Sequence, residues 1–86
     1  MAEFRWNEWN LDHISRHAVE PEEAEWIVNH YGASDAGGDK YMVWGQTAHG
    51  RYLQVIFVLD APDEVYVIHA RDLIDREKRI FRRRRR

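Results

Sequence analysis

Two charged side chains near the C-terminal end, Arg71 and Glu77, have the types and the spacing to form a phosphate-binding centre. Arg71 closes a β-branched and aromatic segment typical of a strand, and a segment that predicts a helix follows it. A guanidinium in that position can bind phosphate through two parallel hydrogen bonds. If the helix begins at Asp72, Glu77 lies within its apolar stripe and needs a cationic partner, for which Arg71, Arg76 and an arginine of the first helix are candidates. Two interpretations stay open: a structural ion pair, or a general acid or base beside Arg71.

Histidines supply the other groups that could move protons near neutral pH. His69 precedes Arg71 by two residues and therefore shares its strand face, although a histidine on a half-buried strand is more often simply packed. His13 and His17 lie one helical turn apart, a spacing that can hold a metal. The helix lacks the glutamate of a metalloprotease, and the chain has no cysteine. We therefore expect neither a metal nor a cofactor, and Arg16-His17 could contact phosphate instead.

The basic charge of the chain is concentrated at its C-terminal end. Residues 76–86 contain eight arginine or lysine residues and one glutamate, a net charge of +7, whereas residues 1–75 carry −9. Such a block favours polyanions, such as RNA or DNA, or an acidic partner chain. The alternative is a solvated and partly disordered tail, formed by residues 82–86.

Length and composition indicate one small domain over residues 1–86. The 86 residues include no cysteine, which fits a reducing cytoplasm, and no apolar run approaches 18 residues. We therefore expect a soluble, cytoplasmic protein with no membrane-spanning segment.

The element on which the rest of the domain must pack is a β-hairpin over residues 51–71. Residues 55–59 are apolar at every position, which predicts a central strand covered on both faces. Residues 60–63, Asp-Ala-Pro-Asp, supply turn chemistry, and a second strand follows from Glu64 to Ala70.

The other segments predict a two-layer α+β domain in the order β-α-α-β-β-β-α. Asn7 is a plausible N-cap for a helix that reaches His17, and a second helix starts at Glu20-Pro21 and ends with Gly32 as a left-handed cap. Residues 32–39 read as a connector, residues 3–6 and 40–46 as strands, and the last helix starts with Asp72 or Asp75 as N-cap. The expected sheet has four strands and is mostly antiparallel.

Three stretches of the sequence, in this order, resemble the BrnT family of toxins. The opening FRWNEWNLDHISRHAVEPEEAE, the middle KYMVWGQTAHGRYLQVIFV and the end VYVIHARDLIDREKRIF are similar to family motifs and together cover nearly the whole chain. Ala18 stands where the family has a glycine, and His69 stands where it usually has a serine.

The resemblance implies a RelE-like fold and a ribonuclease that needs no metal, in which the ribose 2′-OH attacks the neighbouring phosphate. Arg71 and Arg79 would stabilise the phosphate charge, and Glu77 or His17 would assist proton transfer. The residues expected to contact RNA are Arg16, Lys40, Arg51, Arg76 and, in the basic tail, Arg82.

The resemblance also implies a partner, an antitoxin with a ribbon-helix-helix DNA-binding part. Two alternatives stay open. One is a RelE-like module that binds nucleic acid or an acidic protein without cutting it. The other is a structural domain that forms a homodimer and leaves its tail in solvent.

Overall fold

A five-stranded sheet and three helices form the structure, a computed structural model that describes residues 2–85. The order β-α-α-β-β-β-α is confirmed, with one short strand added after the second helix. The elements are β1 (Glu3–Phe4), α1 (Glu8–Ser15), α2 (Pro21–His30), β2 (Ser34–Asp35), β3 (Lys40–Gln46), β4 (Tyr52–Ala61), β5 (Glu64–Asp72) and α3 (Asp75–Arg84). None of the helices within residues 2–85 is long and apolar enough to cross a membrane.

The sheet is organised around the hairpin of β4 and β5, as the apolar pattern predicts. Its strand order is β1-β5-β4-β3-β2, so β4 is central, and every neighbouring pair is antiparallel except β1 with β5. A bulge interrupts the hairpin, because Ile56 pairs with His69 while Phe57 pairs with Val67. Ile68 therefore has no pairing partner on β4, and the bulge changes the direction of the side chains on either side of it.

The fifth strand, β2, corrects the prediction of a four-stranded sheet and of a plain connector over residues 32–39. Ser34 and Asp35 pair with Met42 and Tyr41. The Asp35 carboxylate accepts a hydrogen bond from the Gly37 amide at 2.9 Å, and Gly37 and Gly38 adopt positive φ angles. These two features close a tight turn that folds the connector back onto β3.

Three helix ends also differ from the predictions. Asn7 is the N-cap of α1, as expected, but α1 ends at Ser15, and Ala18 then takes the left-handed conformation with φ of 55°. The second helix ends at His30 with an extended cap at Tyr31, so Gly32 is not a left-handed cap. The last helix begins at Asp75, and its N-cap is Ile74 rather than either aspartate.

One face of the sheet is covered over most of its area, with Tyr41 and Leu59 exposed at its margin, and the other face is only partly covered. The covered face packs on α1 and α2 through Ile14, Ala24 and Ile27, which meet Val43, Leu53, Val55, Phe57, Val67 and Ala70. The prediction that residues 55–59 are covered on both sides is therefore wrong for the second side, where Ile56 and Val58 are half-buried. By strand register this second side, the open face, carries Lys40, Met42, Trp44, Gln54, Ile56, Val58, Tyr66, His69 and Arg71.

Candidate active site

The Arg71 and Glu77 side chains meet where β5 passes into α3. The two terminal nitrogens of Arg71 donate to the two carboxylate oxygens of Glu77 at 2.8 and 2.9 Å. Glu77 Oε1 also accepts the Ile74 amide at 2.9 Å, which satisfies a free donor of the first turn of α3. The carboxylate therefore fixes the strand end and the helix start to each other.

The same contacts hold Glu77 in its charged form. The hydrogen bond from Arg71, helped by the Ile74 amide and opposed by burial, lowers the pKa of Glu77 to about 2. The hydrogen bond to Glu77 raises the pKa of Arg71. The Glu77 side chain is only 12% exposed and that of Arg71 is 28% exposed, so Arg71 is the more exposed member of the pair.

A polar row crosses three strands of the open face and ends at this ion pair. The side-chain oxygen of Gln54, a buried residue, accepts from Arg71 Nη2 at 3.2 Å and from Trp44 Nε1 at 2.9 Å. The register pairs Trp44 with Gln54 and Gln54 with Arg71. Because Arg71 Nη1 also donates to the Asp72 carbonyl at 3.0 Å, each of its terminal nitrogens makes two hydrogen bonds.

Two histidines meet next to the end of β5, His69 near Arg71 and His17 against His69. His69 shares the open face with Arg71, and its ring meets the ring of His17 edge-on with the centroids 5.3 Å apart. Burial lowers the pKa of His69, and the neighbouring His17, Arg71 and His13 lower it further. His69 is therefore uncharged at neutral pH, whereas His17 lies exposed just beyond the end of α1.

Arg51 holds the segment that carries His17. Its side chain donates to both carboxylate oxygens of Asp72 at 2.8 and 3.1 Å and to Glu23 at 3.0 Å. It also donates to the carbonyls of His17 and Ala18 at 2.9 and 2.6 Å. These contacts use all five N–H groups of the guanidinium, so the Arg51 expected to contact RNA fastens the turn after α1 to the end of β5.

The other predicted RNA-contacting cations are spread over the surface. Arg16 is exposed and pairs with Asp12 one turn earlier, at 2.9 Å, and Lys40 is exposed at the start of β3. Arg82 donates to the Tyr52 hydroxyl at 3.3 Å and lies over that ring. Arg76 is exposed on the first turn of α3 and belongs to no ion pair among residues 2–85.

The structure does not bring Arg79 to the Arg71–Glu77 pair. Arg79 is exposed and follows Glu77 by two residues, which places it roughly 200° around the helix. Of the predicted catalytic residues, the fold thus joins Arg71 to Glu77, places the His17 ring against His69, and leaves Arg79 on another side of α3. Within the described residues no three His, Asp or Glu side chains are grouped to hold a metal ion.

The sequence analysis missed two residues of this region, Gln54 and Arg84, and it favoured a core or interface role for Trp44 over a platform on which bases stack. Arg84 follows Glu77 by seven residues, so both lie on the same side of α3, and its guanidinium carbon is 5.6 Å from the centre of the Trp44 ring. The helical spacing of Glu77 and Arg84 was a usable signal. The positions of Trp44 and Gln54 depend on strand register, which cannot be deduced from the sequence alone.

Comparison with known proteins bears on the fold. No protein-family model matches the chain, and no curated protein matches it by sequence. The crystal structure of the ribonuclease toxin BrnT from Brucella abortus superposes with a TM-score of 0.70 at 18% sequence identity, over 87% of this chain and 100% of that chain. The α+β fold expected from the sequence is confirmed, and it is the fold of that toxin.

Proposed function

We propose that this protein is a ribonuclease of the toxin type that cleaves RNA without a metal. The observation that carries the proposal is the meeting of His17, His69 and Arg71 at one edge of the open face, in a fold shared with a ribonuclease toxin. Two imidazoles can serve as general base and general acid in a phosphate transfer from 5′-oxygen to 2′-oxygen, and a guanidinium can stabilise the charge that builds up on the phosphate.

In the proposed reaction, the ribose 2′-oxygen attacks the adjacent phosphorus as its proton passes to a general base. His69 suits this role, because its lowered pKa keeps the imidazole unprotonated at neutral pH. The bond from phosphorus to the 5′-oxygen breaks, and that oxygen takes a proton from the general acid, His17. The products are a 2′,3′-cyclic phosphate and a free 5′-hydroxyl. The proton that His69 takes from the 2′-hydroxyl is matched by the proton that His17 gives to the 5′-oxygen.

Glu77 has a different role in this scheme. A carboxylate with a pKa of about 2 has no proton to donate at neutral pH and is a weak base. It instead orients Arg71, whose positive charge stabilises the charge that builds up on the phosphate. Glu77 is thus a positioning residue, and proton transfer falls to the histidines.

The last helix would supply general affinity for RNA. It presents Arg76, Arg79 and Arg83 at the surface, and none of them forms an ion pair with another residue among 2–85. Binding through such cations releases counterions from the nucleic acid, so the affinity should fall steeply as salt rises.

The proposal includes a partner, an antitoxin with a ribbon-helix-helix part whose acidic surface would cover α3 in the cytoplasm. Inducing this chain alone should arrest growth, and co-expressing the neighbouring reading frame should relieve the arrest. Growth unaffected by the chain alone would count against a toxin.

A second candidate function is binding of nucleic acid without cleavage. One observation favours it: both terminal nitrogens of Arg71 already make two hydrogen bonds each within the protein. In this interpretation the Arg71 guanidinium is structural and joins β5 to α3 without contacting a phosphate. This reading predicts salt-sensitive binding of RNA that stays intact.

The deciding experiment incubates purified protein with single-stranded RNA in EDTA, beside the Arg71→Ala variant. We expect cleavage by the wild type and a rate about 10²–10³-fold lower for the variant, because the positive charge that stabilises the charge on the phosphate is lost. Circular dichroism confirms that both proteins are folded. Equal cleavage by the two proteins would remove Arg71 from the mechanism.

A further inference from the structure

A cavity of about 220 Å³ opens between the C-terminal end of α3 and the edge of β3. Its walls combine aromatic rings with two arginines. The residues that matter here are Tyr31, Met42, Trp44, Phe81, Arg84 and Arg85. None of these residues was placed at a site by the sequence analysis, and the proposed reaction does not use the cavity.

The chemistry of the walls suits a flat ring next to a negative charge. The Arg84 guanidinium carbon lies 5.6 Å from the centre of the Trp44 ring, and that of Arg85 lies 4.9 Å from the centre of the Tyr31 ring. Both arginines are exposed, so they can lie over an inserted ring or reach its phosphate. Nucleic-acid bases stack on aromatic side chains and on guanidinium planes in this way.

A polar group at the rim can meet the edge of such a ring. The Ser34 hydroxyl lies beside the cavity, and its one side-chain hydrogen bond within residues 2–85 is a long one, 3.5 Å, to the Met42 carbonyl. It therefore keeps capacity for a further hydrogen bond. The volume is below the range of about 300–1,000 Å³ typical of drug-sized ligands, which favours one base over a larger molecule.

The cavity is connected to the candidate active site through Trp44. The indole that lines the cavity donates to the same Gln54 oxygen that Arg71 binds, at 2.9 and 3.2 Å. Trp44 and Arg71 stand two strand spacings apart, about 10 Å. An extended single strand bridges this distance with about one or two nucleotides.

We propose that this cavity is a base-binding subsite for the RNA strand, in which a nucleobase stacks on the aromatic wall at Trp44, the exposed Arg84 side chain moves to lie over it, and the adjoining phosphate lies at Arg71. The inference rests on the proposed ribonuclease function and names the feature of the substrate that the site recognises. An acidic peptide would satisfy the two arginines but would leave the ring faces of Trp44 and Tyr31 unmatched.

The test measures binding, so it does not depend on cleavage. The probes are a short single-stranded oligodeoxyadenosine, which lacks the 2′-OH and cannot be cut by the proposed chemistry, and an oligonucleotide of equal length without bases. Fluorescence anisotropy reports the dissociation constants for the wild type, Arg84→Gln and Arg83→Gln. Arg83 is the matched control, because it is exposed on the same helix and does not line the cavity.

We expect the wild type to prefer the oligonucleotide with bases by about tenfold, the scale of one stacked base. Arg84→Gln and Trp44→Leu should abolish this preference, whereas Arg83→Gln should weaken both probes equally and keep it. Equal affinity of the wild type for both probes, or equal loss of preference in Arg84→Gln and Arg83→Gln, would overturn the subsite. A preserved base preference without any RNA cleavage would support the subsite and refute the ribonuclease proposal.

Discussion

Arg71 and Glu77 form a two-point ion pair, with nitrogen–oxygen distances of 2.8 and 2.9 Å, across the junction of β5 and α3. They are six residues apart, and only two residues separate the end of the strand from the start of the helix. The pair therefore sets the direction in which α3 leaves the sheet. Loss of this ion pair would affect both the stability of the junction and the orientation of the Arg71 guanidinium.

The first prediction concerns Glu77→Gln. The pKa of Glu77 is depressed in the folded state, so its contribution to stability is present above the unfolded pKa of about 4.5 and is lost as pH falls toward about 2. At neutral pH the substitution should lower the free energy of unfolding by about 1–3 kcal/mol, because Arg71 loses its charged partner. Urea unfolding at neutral and acidic pH measures this. The difference between the two proteins should shrink at low pH, and a difference that is constant with pH would contradict the assignment.

The second prediction concerns His69→Ala. A general base must be unprotonated, so activity of the wild type should fall as pH drops through the pKa of His69, which burial lowers from the ordinary value of histidine. Removing His69 should lower the cleavage rate by about 10²–10⁴-fold. It should also abolish the fall in rate at low pH, the acidic limb of the pH–rate profile. The control is His30→Ala, since His30 stacks on Trp26, away from Arg71. An unchanged acidic limb in His69→Ala would mean that another group accepts the proton.

The third prediction concerns Ala18→Gly. Ala18 is the residue other than glycine with a positive φ, 55°, among residues 2–85. Its Cβ is strained there, and glycine is free of that strain. We expect the free energy of unfolding to rise by about 0.5–1 kcal/mol, measured by urea unfolding. Ala48→Gly, at an exposed position with ordinary φ, should give no gain, and an equal gain at both positions would rule out relief of strain.

The fourth prediction concerns the contact of Tyr31 with the sheet. A Cβ added at Gly45 would overlap with ring atoms of Tyr31, so the ring must move or the strand must shift. Gly45→Ala should destabilise the protein by about 1–3 kcal/mol in thermal or urea unfolding. At Gly32 an added Cβ meets nothing within 4 Å, and Gly32→Ala should be neutral. Equal effects at the two glycines would show that the ring is not packed on the strand.

The sequence predicted those parts of the fold that depend on local patterns. Alternating and continuous apolar runs located β3, β4 and β5 closely, and Asn7 marked the start of α1. The start of α3 was harder, because Asp72 and Asp75 both look like N-caps. Glu77 instead caps the helix from within by accepting the Ile74 amide, so the N-cap itself can be isoleucine.

Features that depend on strand pairing could not be obtained in the same way. The short β2 strand is stabilised by its turn, not by an apolar pattern. The meeting of Trp44, Gln54 and Arg71 follows from the register of three strands and from the bulge at Ile68. The sequence also does not reveal which donors the fold already uses. Arg51 was expected to contact RNA, but all its donors are engaged within the protein.

The measurement that tests the central claim most directly is cleavage in EDTA of an RNA that carries one 2′-deoxy nucleotide. If the 2′-oxygen is the nucleophile, the wild type should cut at bonds that follow ribonucleotides, leave cyclic phosphate ends, and spare the bond after the deoxynucleotide. The Arg71→Ala protein, prepared in the same way, should cut the same bonds far more slowly than the wild type. Cutting at the deoxy position, or the same pattern and rate from Arg71→Ala, would contradict the account.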